Sequence, residues 1–379
     1  MKSYDIVEWG KPLQEVLRDR PKPVGTEVLV KVQACGICHS DLHIRDGLLD
    51  LGNGKHISFE SVGVKLPFTM GHEIVGVVAE AGSEASVKAG TPCVVYPWHG
   101  CGTCLNCTNG REVDCESGRA LGTRKPGGYS DYVVVPHEQY LLDYGNLDPL
   151  LAATCACSGL TSFSALKKLP PMLEADTLVL IGAGGLGLAA LGLAPQLTSA
   201  RLVVADIDDE KLARASAAGA HEVVNLRSEN AARDLRKAAP NGIRAIVDFV
   251  GSAQTTGVAL ESVARGGTVV VVGLFGGAIS LSTALLPMRN VTLRGSYVGS
   301  VEEMRALLDL LQEKGKGSPV NLKSLPMSAV NEVNRPGFRG GCLVKVKRPR
   351  RRFCRVGCSS LPQPRRAGYS RWMSAGAYG

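Results

Sequence analysis

The sequence predicts an α/β protein in two parts, a β-rich domain followed by a doubly wound parallel sheet. Three observations carry this reading. Residues 1–150 hold short alternating runs rich in Val and Gly, such as TEVLVKVQA and GHEIVGVVAEAG, which read as strands joined by turns. From Thr177 onward, apolar β-branched runs alternate with helical patterns, and this requires a parallel sheet covered on both faces. Between the two, AATCACSGLTSFSALKKL changes to helical spacing.

Taken in order, the second part reads TLVLIGAGG as a strand and turn, then a helix, then ARLVVADID as the next strand. The helix DEKLARASAAGA follows, with HEVVNL, IRAIVDFVG and GGTVVVVGL as further strands. After LRGSYVGS come the helix VEEMRALLDLLQEKG and the segment VNLKSLPMSAVNEV. The most apolar run, LVLIGAGGLGLAALGLA, is punctuated by glycines and followed by Pro195. It reads as a buried strand, turn and helix rather than a membrane span.

With 379 residues, 45% of them hydrophobic, the chain can bury two cores. Aromatics are only 5%, so packing must rest on Val, Leu, Ala and Ile. The start, MKSYDIVEWGKPLQEV, has no apolar stretch of the signal-peptide kind, and a cytoplasmic enzyme is expected. The twelve cysteines are then thiols or metal ligands rather than a disulfide framework. Nine basic residues and no acidic one lie in 347–379; removing them from the net charge of +8 leaves −1 for the rest. The body is therefore neutral, its basic pI says little about substrate, and neither nucleic acid nor membrane is expected as a partner.

IGAGGLG, Ile181–Gly187, follows a strand and opens a helix. In that setting Gly182 permits the tight turn, Gly184 lets a pyrophosphate approach the backbone and Gly187 lets helix and strand pack closely. Gly185 and Leu186 belong to the same loop, and the helix N-terminus supplies free N–H groups and partial positive charge. Asp206 lies nineteen residues after Gly187, at the end of the next strand, where a carboxylate accepts ribose hydroxyls and repels a 2′-phosphate. NAD is expected over NADP.

CGTCLNCTNGREVDC places Cys101, Cys104, Cys107 and Cys115 in a lobe, 101–115, with little hydrophobic sequence of its own. Four thiolates close together satisfy a tetrahedral zinc with no open position. CGICHSDLH is more ambiguous: Cys-x-x-Cys-His can attach a haem, form a redox dithiol or donate to zinc. A catalytic zinc needs three protein ligands and one open position. Candidates are Cys35 or Cys38, His72 in MGHEIVG, and Cys155 or Cys157.

The order CGICHSDLH, GHE, the four-cysteine lobe, CSGLTSFSALKK, GAGGLG and SYVGS resembles the zinc-dependent medium-chain alcohol dehydrogenases, most nearly their yeast and bacterial branch. The resemblance covers roughly residues 25–330. It implies a GroES-like catalytic domain over 1–158, a Rossmann NAD-binding domain over 159–297 and a return segment of the catalytic domain over 298–346. It implies two zinc ions, one held by the lobe and one catalytic, and hydride transfer between an alcohol and NAD. The catalytic ligands it implies are Cys38, His72 and Cys157, with Cys155 as the alternative third ligand. It also implies Glu73 beside the metal, Ser40 on the substrate hydroxyl, Asp41 orienting the histidine ligand, and His43 at the solvent end of a proton relay running through a cofactor ribose hydroxyl. His39 falls near the pyrophosphate, Thr161 beside the nicotinamide and Lys211 beside the adenosine. Trp98 is placed in the wall of the substrate pocket. A homo-oligomer, dimer or tetramer, is expected.

His56, His99, His137 and His221 lie in no motif and read as surface or core polar residues. DLGNGKHISFESVGVKLPF reads as a surface loop near the pocket. Beyond NEV the pattern departs from the family. Pro336, Gly337, Gly340 and Gly341 oppose a helix, GCLVKVK imitates the expected final strand, and 347–379 reads as a disordered basic tail, either an appendage for acidic partners or nucleic acid or, the preferred reading, the product of a shifted reading frame.

Overall fold

The computed structural model describes residues 1–314, 322–333 and 342–345, with the backbone alone for Val333 and Cys342–Lys345. The break expected after Asn334 and the tail 347–379 lie outside the described residues. Within GCLVKVK, Cys342–Lys345 does form a strand.

The β-rich part is organised around one ten-residue strand, Val28–Ile37. Its alternating sequence buries Val28, Val30, Val32, Ala34 and Gly36 along one face, and Lys31 points outward. It pairs antiparallel with Glu73–Ala81, Tyr132–Val135 and Cys342–Lys345. Pro92–Val95 and Leu141–Leu142 extend one side, and Lys323–Pro326 extends the other. The register sets Cys35 opposite Ile74 and Gly36 opposite Glu73. A side chain at Gly36 would collide with Glu73, so only glycine permits this close pairing.

The second sheet has six strands, all parallel: Glu222–Asn225, Arg201–Asp206, Thr177–Ile181, Ile243–Asp248, Thr268–Val271 and Thr292–Gly295, in that spatial order. By sequence this is 3-2-1-4-5-6, the dinucleotide-binding order, with the crevice where the order reverses. Thr177–Ile181 is buried throughout, as its continuous apolar run requires. The helix after it, Gly185–Leu197, runs two residues beyond Pro195, whose missing N–H falls in the last turn. The apolar run is thus a strand, a turn and a helix, as expected.

A helical run joins the two sheets. Asp148 caps it, its carboxylate accepting from Leu150 N and Leu151 N, and Pro149 occupies the first turn. Pro149–Thr154 passes into a π-helical turn, Cys155–Gly159, and then into Leu160–Lys167. By length and composition this 19-residue run could cross a membrane, yet 67% of its most apolar window is buried inside the fold.

The segment read as a surface loop contains a hairpin instead. Leu48–Gly52 pairs with Lys55–Ser58. Asn53 and Gly54 both have positive φ, 52° and 72°, as the tight two-residue turn demands. Asn-Gly is the signal for such a turn, but the flanks do not alternate in polarity, and this hides the strands.

Val298 has φ 36° although it is β-branched and buried. The tyrosine hydroxyl of Tyr96 donates to Gly299 O at 2.8 Å and ties the bend down. At a positive φ glycine is favoured over alanine, reversing the usual order. Val298→Gly is therefore expected to be about 1 kcal/mol more stable than Val298→Ala, read from the two urea-denaturation midpoints. An alanine variant as stable as the glycine variant would refute the left-handed backbone.

Candidate metal and cofactor site

The pairing of Val28–Ile37 with Glu73–Ala81 delivers Cys38 and His72 side by side, each one residue beyond its strand. The third group comes from the π turn. There Cys157 brings its Sγ to 3.8 Å from Cys38 Sγ. The ligand atoms of Cys38, His72 and Cys157 lie within 4.8 Å of one another. Zinc–sulfur bonds of about 2.3 Å in a tetrahedron place sulfurs about 3.8 Å apart, so the thiol pair already has the spacing of a zinc site.

Asp41 anchors this cluster. It is fully buried, its Oδ2 accepts from Cys38 N at 2.9 Å and from the Tyr129 hydroxyl at 2.7 Å, and its Oδ1 lies 3.4 Å from His72 Nδ1. His72 is also fully buried, and neither ring nitrogen makes a hydrogen bond. An imidazole with an uncommitted nitrogen beside two thiols is a ready metal donor. Cys35 is fully buried, and its Sγ abuts Gly71 and Gly128. That position excludes haem attachment through the Cys35–Cys38 pair. Cys155 is likewise buried and belongs to no ligand cluster among the described residues.

The lobe holds Cys101, Cys104, Cys107 and Cys115 with all four Sγ atoms within 4.8 Å. Individual separations are 3.5 Å for 104–107, 3.8 Å for 104–115 and 3.9 Å for 101–107, again the zinc–thiolate spacing. Backbone N–H groups of Thr103 and Cys104 donate to Cys101 Sγ, and that of Cys101 donates to Cys115 Sγ. A side chain at Gly100 would strike Cys107 Sγ, so glycine is required where the chain enters. Neither short helix of the lobe buries a residue. No apolar core holds it together.

The glycine loop sits at the carboxyl end of Thr177–Ile181. Gly182 has φ 98° and donates its N–H to Ala205 O at 2.7 Å. A side chain at Gly187 would collide with Gly182 O, whereas Gly184 and Gly185 face open space. That space above a helix N-terminus fits a pyrophosphate. Asp206 is buried at the end of its strand, as expected, but three backbone groups already use it. Oδ2 accepts from Ala183 N, and Oδ1 accepts from Ile207 N and Asp208 N. Lys211 Nζ lies 3.7 Å from the same carboxylate. Thr161 is buried in the connecting helix, close to the π turn.

Residues 25–144 match the alcohol dehydrogenase GroES-like domain family, and residues 185–313 match the zinc-binding dehydrogenase family. NAD-dependent alcohol dehydrogenases of Sulfurisphaera tokodaii and Saccharolobus solfataricus are 37% and 36% identical over 336 residues, covering 88% of this chain and 95% of each relative. This chain belongs to the zinc-binding alcohol dehydrogenase family. It is accordingly a zinc-dependent oxidoreductase. The solved alcohol dehydrogenase of Aeropyrum pernix superposes with a TM-score of 0.80 at 27% identity, covering 91% of this chain and 100% of that one.

In this family member the cluster is electrostatically tense. The Cys157 thiol bonds Cys38 and pulls it well below the ordinary thiol range, and that same bond pushes Cys157 well above. Burial pulls His72 down, but Asp41 and Cys38 outweigh it and hold the imidazole well above its usual range. Burial first, and Cys38 second, push Glu73 up to about 8. In the lobe, the bond to the Thr103 hydroxyl leads the groups that lower Cys101 to about 5.

Around the cluster, Trp98 is buried, donates from Nε1 to Ala156 O at 2.8 Å and lies 5.2 Å from the His72 ring. Tyr297 faces Trp98 at 6.0 Å. Ser40 Oγ lies 3.7 Å from Cys38 Sγ. His39 stacks on Phe275 at 5.3 Å and meets the His43 ring edge-on at 5.1 Å. Sequence reasoning missed Tyr129, Tyr297 and Phe275; only the aromatic character of SYVGS hinted at one of them. The four isolated histidines fit their bland reading. His99 is buried against the Tyr140 ring at 4.8 Å with no hydrogen bond to its ring nitrogens, His137 and His221 accept backbone N–H groups, and His56 is exposed beside Asp50.

Tyr129→Phe is expected to keep the fold and weaken zinc retention at the Cys38 cluster about 10–100-fold, measured by competition with a chromogenic chelator. Retention equal to the parent would remove Tyr129 from the support of the site. Cys107→Ser should unravel the lobe, since metal binding supplies on the order of 10 kcal/mol of folding free energy in isolated zinc modules. The readout is protease cleavage inside 101–115. A lobe that stays resistant does not depend on its metal.

Proposed function

We propose that this chain transfers a hydride reversibly between a small-molecule alcohol and NAD. The observation that carries the reading is the juxtaposition of Cys38, His72 and Cys157 with an open glycine loop in one molecule. Cys38, His72 and Cys157 hold the catalytic zinc, and Cys101, Cys104, Cys107 and Cys115 hold a second, structural one. Zinc at the first site lowers the pKa of an alcohol proton by Lewis acidity, and NAD supplies the hydride-accepting ring.

The chain's own residues do the rest. Ser40 would accept the proton of the substrate hydroxyl as its own passes to a cofactor ribose hydroxyl, and His43 would take the proton from there and hand it to solvent. They lie three residues apart on the helix Ser40–Asp46, so they share a face. Asp41 fixes the His72 ring. Glu73 lies buried beside the cluster. Gly182, Gly184, Gly185, Leu186 and Gly187 receive the pyrophosphate, with His39 on its far side. Asp206 and Lys211 receive the adenosine ribose, and Thr161 faces the nicotinamide. The fixed carboxylate of Asp206 disfavours a 2′-phosphate. Trp98 walls the substrate pocket.

We assign 1–158 and 298–346 to the catalytic domain and 159–297 to the cofactor domain. Support comes from Lys323–Pro326 and Cys342–Lys345, which join the first sheet. A homo-oligomer is supported by the exposed edge strand Thr292–Gly295 and the exposed apolar residues Leu285, Met288 and Leu293 near it. The many uncrosslinked thiols suit the cytoplasm.

The decisive experiment is a panel of primary, secondary, aromatic and polyhydric alcohols with NAD and NADP, following reduced cofactor. NAD-dependent turnover is expected, and none from folded, metal-replete protein would defeat the reading. His43→Gln tests the relay. Burial and His39 hold His43 below its ordinary range, so its base form persists into mildly acidic solution. The parent-to-variant rate ratio should therefore be largest below about pH 7 and shrink as hydroxide takes over. A ratio independent of pH would exclude the relay.

A further inference from the structure

Three Asn-Gly pairs occur in the chain: Asn53–Gly54, Asn109–Gly110 and Asn241–Gly242. All three asparagines are exposed. Glycine after asparagine leaves the next peptide nitrogen unhindered, so each pair is chemically able to close a succinimide ring. The fold treats them differently. Asn109 Nδ2 donates to Leu105 O at 2.7 Å, and Gly110 N donates to Cys107 O at 3.1 Å. Asn241 Nδ2 donates to Ala175 O at 3.2 Å, and Gly242 N donates to Ala239 O at 2.8 Å. In both pairs the carboxamide and the nitrogen that would attack it are each engaged elsewhere. Asn53 has neither restraint. Among the described residues, its carboxamide and the Gly54 N–H make no hydrogen bond, and Gly54 faces open space at the hairpin tip. We propose that Asn53–Gly54 is a site of spontaneous deamidation in the folded protein, and that conversion of Asn53 to isoaspartate loosens the hairpin.

The chemistry needs only water. Gly54 N loses its proton to solvent base and bonds to Asn53 Cγ, and the Cγ–Nδ2 bond breaks to release ammonia. Water then opens the ring. Opening at Cγ gives aspartate. Opening at the Asn53 main-chain carbonyl leaves the chain running through Cβ and Cγ as isoaspartate. That product puts one more atom into the backbone of a two-residue turn whose register sets Gly52 opposite Lys55. The position has consequences beyond the turn. Gly52 has no room for a side chain against the Gly277 backbone, and Gly276 has none against Asp50 O. The hairpin is thus seated closely on the loop that carries Phe275, and Phe275 stacks on His39. A lengthened turn cannot hold both the strand register and this close seat.

The test ages the full-length, metal-replete protein in mildly alkaline buffer and follows isoaspartate and aspartate by peptide mass spectrometry. Asn53 is expected to convert about tenfold or more faster than Asn109 or Asn241, since each of those must first break two hydrogen bonds. In urea, where the fold is lost, the three rates should converge. Asn53→Gly suits the same turn and cannot deamidate. Backbone hydrogen exchange over 48–58 should therefore speed up with age in the parent and stay constant in Asn53→Gly. Equal rates in the folded protein, a slower rate at Asn53, or a ranking that persists in urea overturns the proposal. So does hairpin exchange that stays unchanged in the aged parent or rises equally in both proteins.

Discussion

The register between Val28–Ile37 and Glu73–Ala81 is the constraint on which the site depends. Gly36 faces Glu73 across the ladder, so the chain leaves one strand at Cys38 and enters the other from His72 at the same end. A slip of one residue would turn one strand over relative to the other and send Cys38 and His72 to opposite faces. Gly36 guards against this, because any side chain there would occupy the place of the Glu73 carboxylate. Cys342–Lys345 pairs along the other edge of the same strand, and so braces it near Cys38.

The cluster has the composition and spacing of a metal site. Two thiols, an imidazole and two carboxyl groups share a region where His72 and Asp41 are wholly buried. Burying such groups without a compensating charge is costly. Cys38 is driven toward thiolate while Cys157 and Glu73 are driven toward their neutral forms. A divalent cation removes the conflict by balancing two thiolates at once. In the lobe the same chemistry would serve a different end, with metal taking the place of an apolar core.

Local sequence exposed the parts of the site whose chemistry is local. The glycine loop, its acidic partner Asp206 and the four-cysteine spacing each lie within a few turns of chain, where residue type dictates conformation. Cys-Ala-Cys could not choose between Cys155 and Cys157, because the choice is made by a π turn that widens the helix at that point. Tyr129 was invisible, since it reaches Asp41 across 88 residues of sequence. Asp206 showed the reverse limitation. Its place was legible, but the three backbone donors that pin it emerge only when the glycine loop folds back onto the second strand.

The pocket wall joins these scales. Trp98 is fixed by its own hydrogen bond to the π turn that presents Cys157, so Cys157 and the indole move as one unit. Tyr297 stands opposite on the strained bend at Val298, held through Gly299 by Tyr96. One wall therefore belongs to the ligand-bearing helix and the other to the edge of the cofactor sheet. The width between them is set by how these two elements pack.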